Sequence, residues 1–325
     1  VTSIWRKVRR RVLTPGMSET RLDTRGFHEK TPEARRLLET AGEMFLTGYA
    51  YAAEAKTVQD AEERLEELPV RFRGFGYEGA GMAFAMRDGL PFGGRLTAQF
   101  LASRGDEHVY MVYVGIGWAM ARLPRMRWSK ASAAATDPLL RWLVLDGYGF
   151  HQAYFHTRRY VEDQYVEPDF PWPGGVAGDR AGRVIDQGIG RAMWFVAGTD
   201  PDLCATMIEK FAPERQSDLY SGAGLAATYA GGVEPDELSV LWERAGTHRS
   251  YVAQAAAFAA EARVRAGLLV PHTEMAAQFF CGMSARDAAD VTTRLRPNPV
   301  LDGAVPAFEV WRDRIADEFA GLGRG

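Results

Sequence analysis

A word of two small residues flanking a third, usually followed by a bulky group and often by alanine, recurs along this 325-residue chain. It reads Gly79-Ala80-Gly81-Met82-Ala83, Gly115-Ile116-Gly117-Trp118-Ala119 and Gly147-Tyr148-Gly149-Phe150-His151. It returns as Gly188-Ile189-Gly190-Arg191-Ala192, Gly222-Ala223-Gly224-Leu225-Ala226 and a degenerate Ala255-Ala256-Ala257-Phe258-Ala259. Successive copies lie 36, 32, 41, 34 and 33 residues apart. A period in that range means stacked supersecondary units, so any active centre is expected to draw on several of them.

The clearest unit runs from Asp186 to Pro213. Gly188 to Ala197 reads as one helix, Gly198-Thr199-Asp200-Pro201-Asp202 as a capped turn, and Leu203 to Phe211 as a second helix. The next unit repeats the plan with Gly231-Gly232, Glu234-Pro235-Asp236-Glu237 and a helix from Leu238 to Arg244. Glycine after one helix and proline just inside the next is the usual asymmetry. The expected fold is all-α: tandem helical hairpins of about 34 residues, similar in plan to tetratricopeptide and Sel1 repeats, in an α-solenoid or αα-toroid. Glycine inside a helix costs roughly 1 kcal/mol against alanine, so these words are read as close-packing devices.

Three segments follow from this plan: a lead-in over 1–31, a repeat domain over 32–296 with a loop insertion at 166–183, and a capping segment over 297–325. Thr31-Pro32-Glu33 starts a helix reaching about residue 55, with Leu37, Leu38, Ala41, Phe45, Leu46 and Tyr49 at helical spacing. A charged helix around Glu62–Glu67 ends before Pro69, and a last helix carries Phe308, Trp311, Ile315 and Phe319. Arg25-Gly26-Phe27-His28 reads as a tether, and the 166–183 insertion as a lid or surface loop.

A net charge of −3 gives no general attraction to nucleic acid; the basic run from Arg6 to Arg11 is read as a solvated terminal segment. Cys204 and Cys281 are too few for a disulfide framework and sit among apolar residues, as free thiols of a reducing compartment do. No apolar run reaches the ~20 residues of a bilayer span, and no secretory signal is read at the start. A cytoplasmic protein without a transmembrane segment is expected.

The words beginning Gly79, Asp146, Asp186 and Ser221 resemble those of the UnbL family, a domain of unknown function. So does Arg25-Gly26-Phe27-His28 followed by Glu39-Thr40-Ala41-Gly42 and Phe45-Leu46-Thr47-Gly48-Tyr49. The resemblance spans nearly the whole chain. It implies a place in enediyne polyketide biosynthesis, where a linear polyene becomes the enediyne core, and it carries no catalytic residues over. The expected ligand is a hydrophobic polyene or early intermediate, handled without an organic cofactor, with other pathway proteins as partners. The alternative is a non-catalytic scaffold that binds the synthase.

The residue before each word is Glu78, Val114, Asp146, Gln187, Ser221 or Gln254, and one position earlier stand Tyr77, Tyr113, Leu145, Asp186, Tyr220 and Ala253. Equivalent positions in stacked units line one face, so these groups form either a polar strip in a groove or helix-start caps. The third unit concentrates chemistry: Asp146, Tyr148, His151, Gln152, Tyr154 and His156. A carboxylate, an imidazole and tyrosines suit proton transfer on an unsaturated substrate, or else form a buried network locking the units together. Expected catalytic groups are Asp146, His151, Asp186, Glu78, Tyr148 and His156. Expected substrate contacts are Tyr77, Tyr113, Trp118, Gln152, Trp194 and Tyr220. No metal site is expected: His151 and His156 lack helical ligand spacing, and His272-Thr273-Glu274 fits a helix start. The Gly-x-Gly words lack the six-residue dinucleotide fingerprint, and there is no Gly-x-Ser-x-Gly elbow. With 17 Phe, 12 Tyr, 8 Trp and 11 Met, a greasy groove for a polyene is within reach.

Overall fold

The structure, a computed structural model, describes residues 16–91, 93–172, 180–300, 303 and 305–325. Among the described residues helices are the only regular secondary structure, with no strand. Helix α1 spans Pro32–Glu54, α2 Val58–Glu66, α3 Val70–Gly89, α4 Leu96–Leu101 and α5 Val109–Arg122. Then come α6 (Leu143–Phe155), α7 (Arg180–Val196), α8 (Pro201–Ile208), α9 (Pro213–Tyr229) and α10 (Pro235–Ala245). The last four are α11 (Arg249–Arg265), α12 (Pro271–Cys281), α13 (Ala285–Arg294) and α14 (Ala307–Phe319). No described helix is long and apolar enough to cross a membrane. The basic run at 6–11 lies outside the described residues.

Local rules set many of these boundaries. The Thr31 hydroxyl accepts from Ala34 N at 3.1 Å and Pro32 occupies the first turn of α1. Asp200 caps α8 through the amides of Asp202 and Leu203, both at 3.0 Å. Glu234 and Glu237 open α10 with a hydrogen bond from Glu234 N at 3.0 Å. Gly198 makes the turn before α8 with φ +58°, and a β-carbon there would stand 2.1 Å from His28 O.

The recurring words do not start helices, as the spacing first suggests. They lie within α3, α5, α6, α7, α9 and α11. Capping is therefore not the role of Glu78, Asp146, Asp186 or Ser221. Each word instead works on two sides. The first glycine meets the preceding long helix and the second meets the following one. A β-carbon on Gly147 would lie 2.0 Å from Val114 O of α5, and one on Gly149 would lie 2.2 Å from Ile185 O of α7. Gly188 and Gly190 repeat this against Asp146 O (2.0 Å) and Leu219 O (2.1 Å). No real β-carbon tolerates such distances, so glycine sets how closely these helices approach.

In this way α1, α3, α5, α6, α7, α9 and α11 pack as neighbours in chain order. The far end returns toward the start. Arg263 of α11 donates to Arg71 O (3.1 Å) at the beginning of α3, and Arg265 donates to Asp106 Oδ2 (3.0 Å) ahead of α5. Helix α14 is fastened across the group by ion pairs: its Arg312 reaches the buried Asp218 of α9 at 2.8 Å, and its Glu309 meets Arg180 of α7 at 2.8 Å, while Arg183 of α7 also reaches Asp218 at 2.9 Å. The N-terminal stretch is laid across in the same manner. His28 N donates to Val196 O (2.9 Å), and Lys30 Nζ donates to Gly232 O (2.9 Å).

The insertion at 166–183 is in part a helix, since α7 already begins at Arg180; residues 173–179 lie outside the described residues. Of the rest, Phe170 packs on Trp128 and Tyr148 (centroids 5.4 and 5.0 Å), and Trp172 packs on Trp142 (6.2 Å).

Candidate functional site

The bulky residue that follows each word has one destination. Met82, Trp118, Phe150, Arg191, Leu225 and Phe258 all line a single internal cavity. Its empty space is about 1260 Å³, mouth included. The rest of the wall is largely aromatic and aliphatic, with Phe45, Phe75, Tyr154, Phe195, Tyr229 and Trp311 prominent. Ring contacts join these groups from helix to helix: Trp118 to Phe45 (4.5 Å) and Phe150 (5.2 Å), Phe150 to Phe195 (5.3 Å), Phe258 to Trp311 (4.8 Å).

Within this wall sits one polar centre. Glu78 of α3, Asp146 of α6 and Arg191 of α7 are 4%, 1% and 8% exposed. Arg191 Nε stands 2.9 Å from Asp146 Oδ1, and its Nη2 is 3.9 Å from Glu78 Oε1. The short contact is an ion pair whose N–H is not aligned for a hydrogen bond. The other Asp146 oxygen accepts from Gln187 Nε2 at 2.7 Å. The Arg191 guanidinium also lies over the Phe150 ring, 4.9 Å from its centroid. Among the described residues none accepts a hydrogen bond from the Arg191 Nη atoms.

Burial dominates the acid–base state of the two carboxyls. It pushes Glu78 up to about 7; Arg191 pulls against this, and the Asp146 charge adds to it. Asp146 is likewise raised by burial, with Arg191, the Gln187 amide and Arg312 opposing. One carboxyl that exchanges its proton near neutral pH, next to a fixed cation with unused donors, is the equipment of general acid–base chemistry.

Of the expected catalytic groups and substrate contacts, Glu78, Asp146 and Trp118 meet at this cavity, beside Tyr154 of the third unit. The others stand apart from its wall. His151 is buried against Trp118 and Phe155 (5.5 and 4.7 Å), and burial drives it down to about 3, so it is neutral. His156 is exposed at the end of α6, its ring 6.4 Å from His151. Asp186 is held by Arg215 through two bonds of 2.9 and 2.6 Å, a tie between α7 and α9. Gln152 donates to the hydroxyls of Tyr148 and Tyr160, both at 3.0 Å. Tyr77 stacks on His108 (3.5 Å) and donates to Glu66 (2.6 Å). The Tyr113 hydroxyl accepts from Asp137 N (3.2 Å), Trp194 Nε1 donates to Gly231 O (3.1 Å), and Tyr220 donates to Arg244 O (3.1 Å). His272 lies in the first turn of α12 with Nε2 2.9 Å from Tyr229 O. The contacts of Asp186, Tyr77, Trp194, Tyr220 and His272 tie one helix to another or to the turn beside it.

Arg191 is the residue that sequence reasoning passed over, although a signal was present. It is the one charged side chain at the position after the second small residue, where the other copies carry Met82, Trp118, Phe150, Leu225 and Phe258. The polar residue one turn earlier on each helix also pairs across helices: Asp146 with Gln187, and Ser221 with Gln254 at 3.2 Å.

A family model described as a protein of unknown function, DUF1702, matches residues 4–319, and the chain belongs to that family. Comparison with curated proteins and with solved structures finds no match.

Proposed function

We propose that this DUF1702 member is a biosynthetic catalyst that encloses a long, polyunsaturated, mostly apolar molecule and moves protons on it with Glu78. The observation that carries the reading is a buried carboxyl, pushed up to about 7 by that burial, 3.9 Å from Arg191 in the wall of an aromatic cavity. Glu78 would take or give the proton. The free Nη donors of Arg191 would stabilise negative charge developing on an enolate or carbonyl oxygen. Asp146, held by Gln187, positions Arg191 rather than reacting. The aromatic wall matches the flat faces of a conjugated chain.

The resemblance to the UnbL family supports placing this step after an enediyne polyketide synthase, on the polyene or an early core intermediate. The same reading takes the fold as tandem helical hairpins wound into a partly closed toroid around the cavity. Its support is the shared cavity-facing position of six helices and the return of α11 toward α3.

The test is incubation of the purified protein with the synthase's polyene product, alone and with neighbouring pathway proteins. Conversion that is lost in Glu78→Gln and in Arg191→Gln supports the proposal. Unchanged polyene in every combination overturns it in favour of a scaffold, and equal conversion by both variants overturns the roles given to Glu78 and Arg191.

A further inference from the structure

Five charged residues line the cavity: Glu19, Glu78, Arg122, Asp146 and Arg191. Four of them are compensated on the spot. Glu19 pairs with Arg25 at 2.8 Å, and Arg191 faces both Asp146 and Glu78. Arg122 is the exception. Among the described residues it forms no ion pair and no hydrogen bond through its side chain.

Its position is not that of an ordinary surface arginine. Arg122 is one helical turn beyond Trp118 on α5, on the face that meets the cavity. The equivalent positions on α6, α7 and α9 are Tyr154, Phe195 and Tyr229, all buried in the same wall. The wall residues that are not buried, Glu19, Gly42, Arg122, Phe155 and Leu225, mark where it opens to solvent. At that rim Arg25 binds Glu19 and the carbonyls of Tyr154 and Phe155 (3.2 and 3.1 Å). Arg122 is the most exposed of the five, so the opening carries one unbalanced positive charge over an apolar interior.

Building on the enclosed-ligand reading above, we propose that Arg122 binds the anionic end group of an amphipathic ligand whose apolar body passes inward over Trp118 toward Arg191 and Glu78. The end group is a carboxylate or a phosphate ester, either of which a guanidinium grips through two N–H donors. Arg191 is a poorer anchor because two carboxyls already face it. Arg122 therefore sets which end of the ligand stays at the mouth, and so which carbon stands at Glu78.

The experiment is a fluorescence titration with cis-parinaric acid, a tetraene carboxylate, and with its methyl ester, at pH 8 and low salt. The acid is expected to bind more tightly than the ester. Arg122→Gln is expected to weaken the acid roughly five- to tenfold and to leave the ester nearly unchanged, while Arg122→Lys, which keeps the charge but not the two-donor fork, restores acid binding in part. Displacement of the probe by dodecanoate against dodecyl phosphate tells which anion fits better; dodecanol displacing it as well as both overturns the anchor. Equal binding of acid and ester, or equal loss of both in Arg122→Gln, overturns the anchor while leaving the enclosed-ligand reading in place. Binding of neither overturns both.

Discussion

A β-carbon placed on Gly188 would stand 2.0 Å from the carbonyl oxygen of Asp146. The glycine that lets α7 press against α6 thus lies directly on the backbone of a cavity carboxylate, with Arg191 one turn further along α7. Packing and chemistry share one contact.

Gly188→Ala is expected to force the two helices apart and to destabilise the protein by about 1–3 kcal/mol, in the range of core overpacking. Gly182→Ala in the same helix, where a β-carbon meets nothing within 4 Å, is expected to be neutral or stabilising by up to about 1 kcal/mol. Thermal unfolding of the two variants checks the pair; equal losses would sink the close-packing account.

Glu78 makes stability depend on pH in a specific window. Its carboxyl is raised from 4.5 to about 7 in the fold, so the native state holds a proton that the unfolded chain releases. The contribution is fully present below pH 4.5 and is lost as pH rises through about 7, at no more than about 1.4 kcal/mol per pH unit. Glu78→Gln is expected to flatten this slope and to be the more stable protein at pH 8, as read by urea unfolding across the range.

Removing Arg191 leaves two buried carboxyls without their cation. Arg191→Met is expected to cost about 3–5 kcal/mol at pH 8 and less in acid, where the carboxyls take up protons. Adding Asp146→Asn should recover more than half of that loss. A double-mutant cycle by denaturant unfolding gives the coupling, and strict additivity would mean the pair does not interact.

Arg25→Ala is expected to free the N-terminal stretch without unfolding the body. It removes side-chain hydrogen bonds to Tyr154 O, Phe155 O and Glu19, each contributing about 1 kcal/mol. Hydrogen exchange over residues 17–31 should quicken by at least tenfold while α5 and α6 keep their protection. Faster exchange everywhere would show instead that this stretch is part of the core.

Much of the helical layout can be read residue by residue. Thr31-Pro32, Asp200-Pro201 and Glu234-Pro235 place helix starts because capping and proline geometry act within four residues. The Gly-x-Gly words are legible as packing devices because glycine's cost within a helix requires a compensating contact. Their position along the helix is not legible in the same way: α7 begins at Arg180, well before Gly188, because tertiary packing sustains a helix across glycines that would end it in isolation.

The candidate site was legible only in part. Glu78 and Asp146 stand out as carboxyls at equivalent positions, yet Asp186, one position earlier in its unit, stands out as well and faces Arg215 instead. The difference of one residue turns a side chain by about 100° around the helix, and which angle meets the cavity depends on neighbours far away in sequence. The chain's sequence alone determined that it is helical, where several helices begin, and that small residues would bring backbones together, because those effects are local. Only the tertiary structure decided that six bulky positions converge on one cavity, that Arg191 meets Glu78 and Asp146 there, and that Arg122 at its mouth has no ion pair among the described residues. Burial, pairing and the resulting shift of Glu78 exist only between helices, after they have packed.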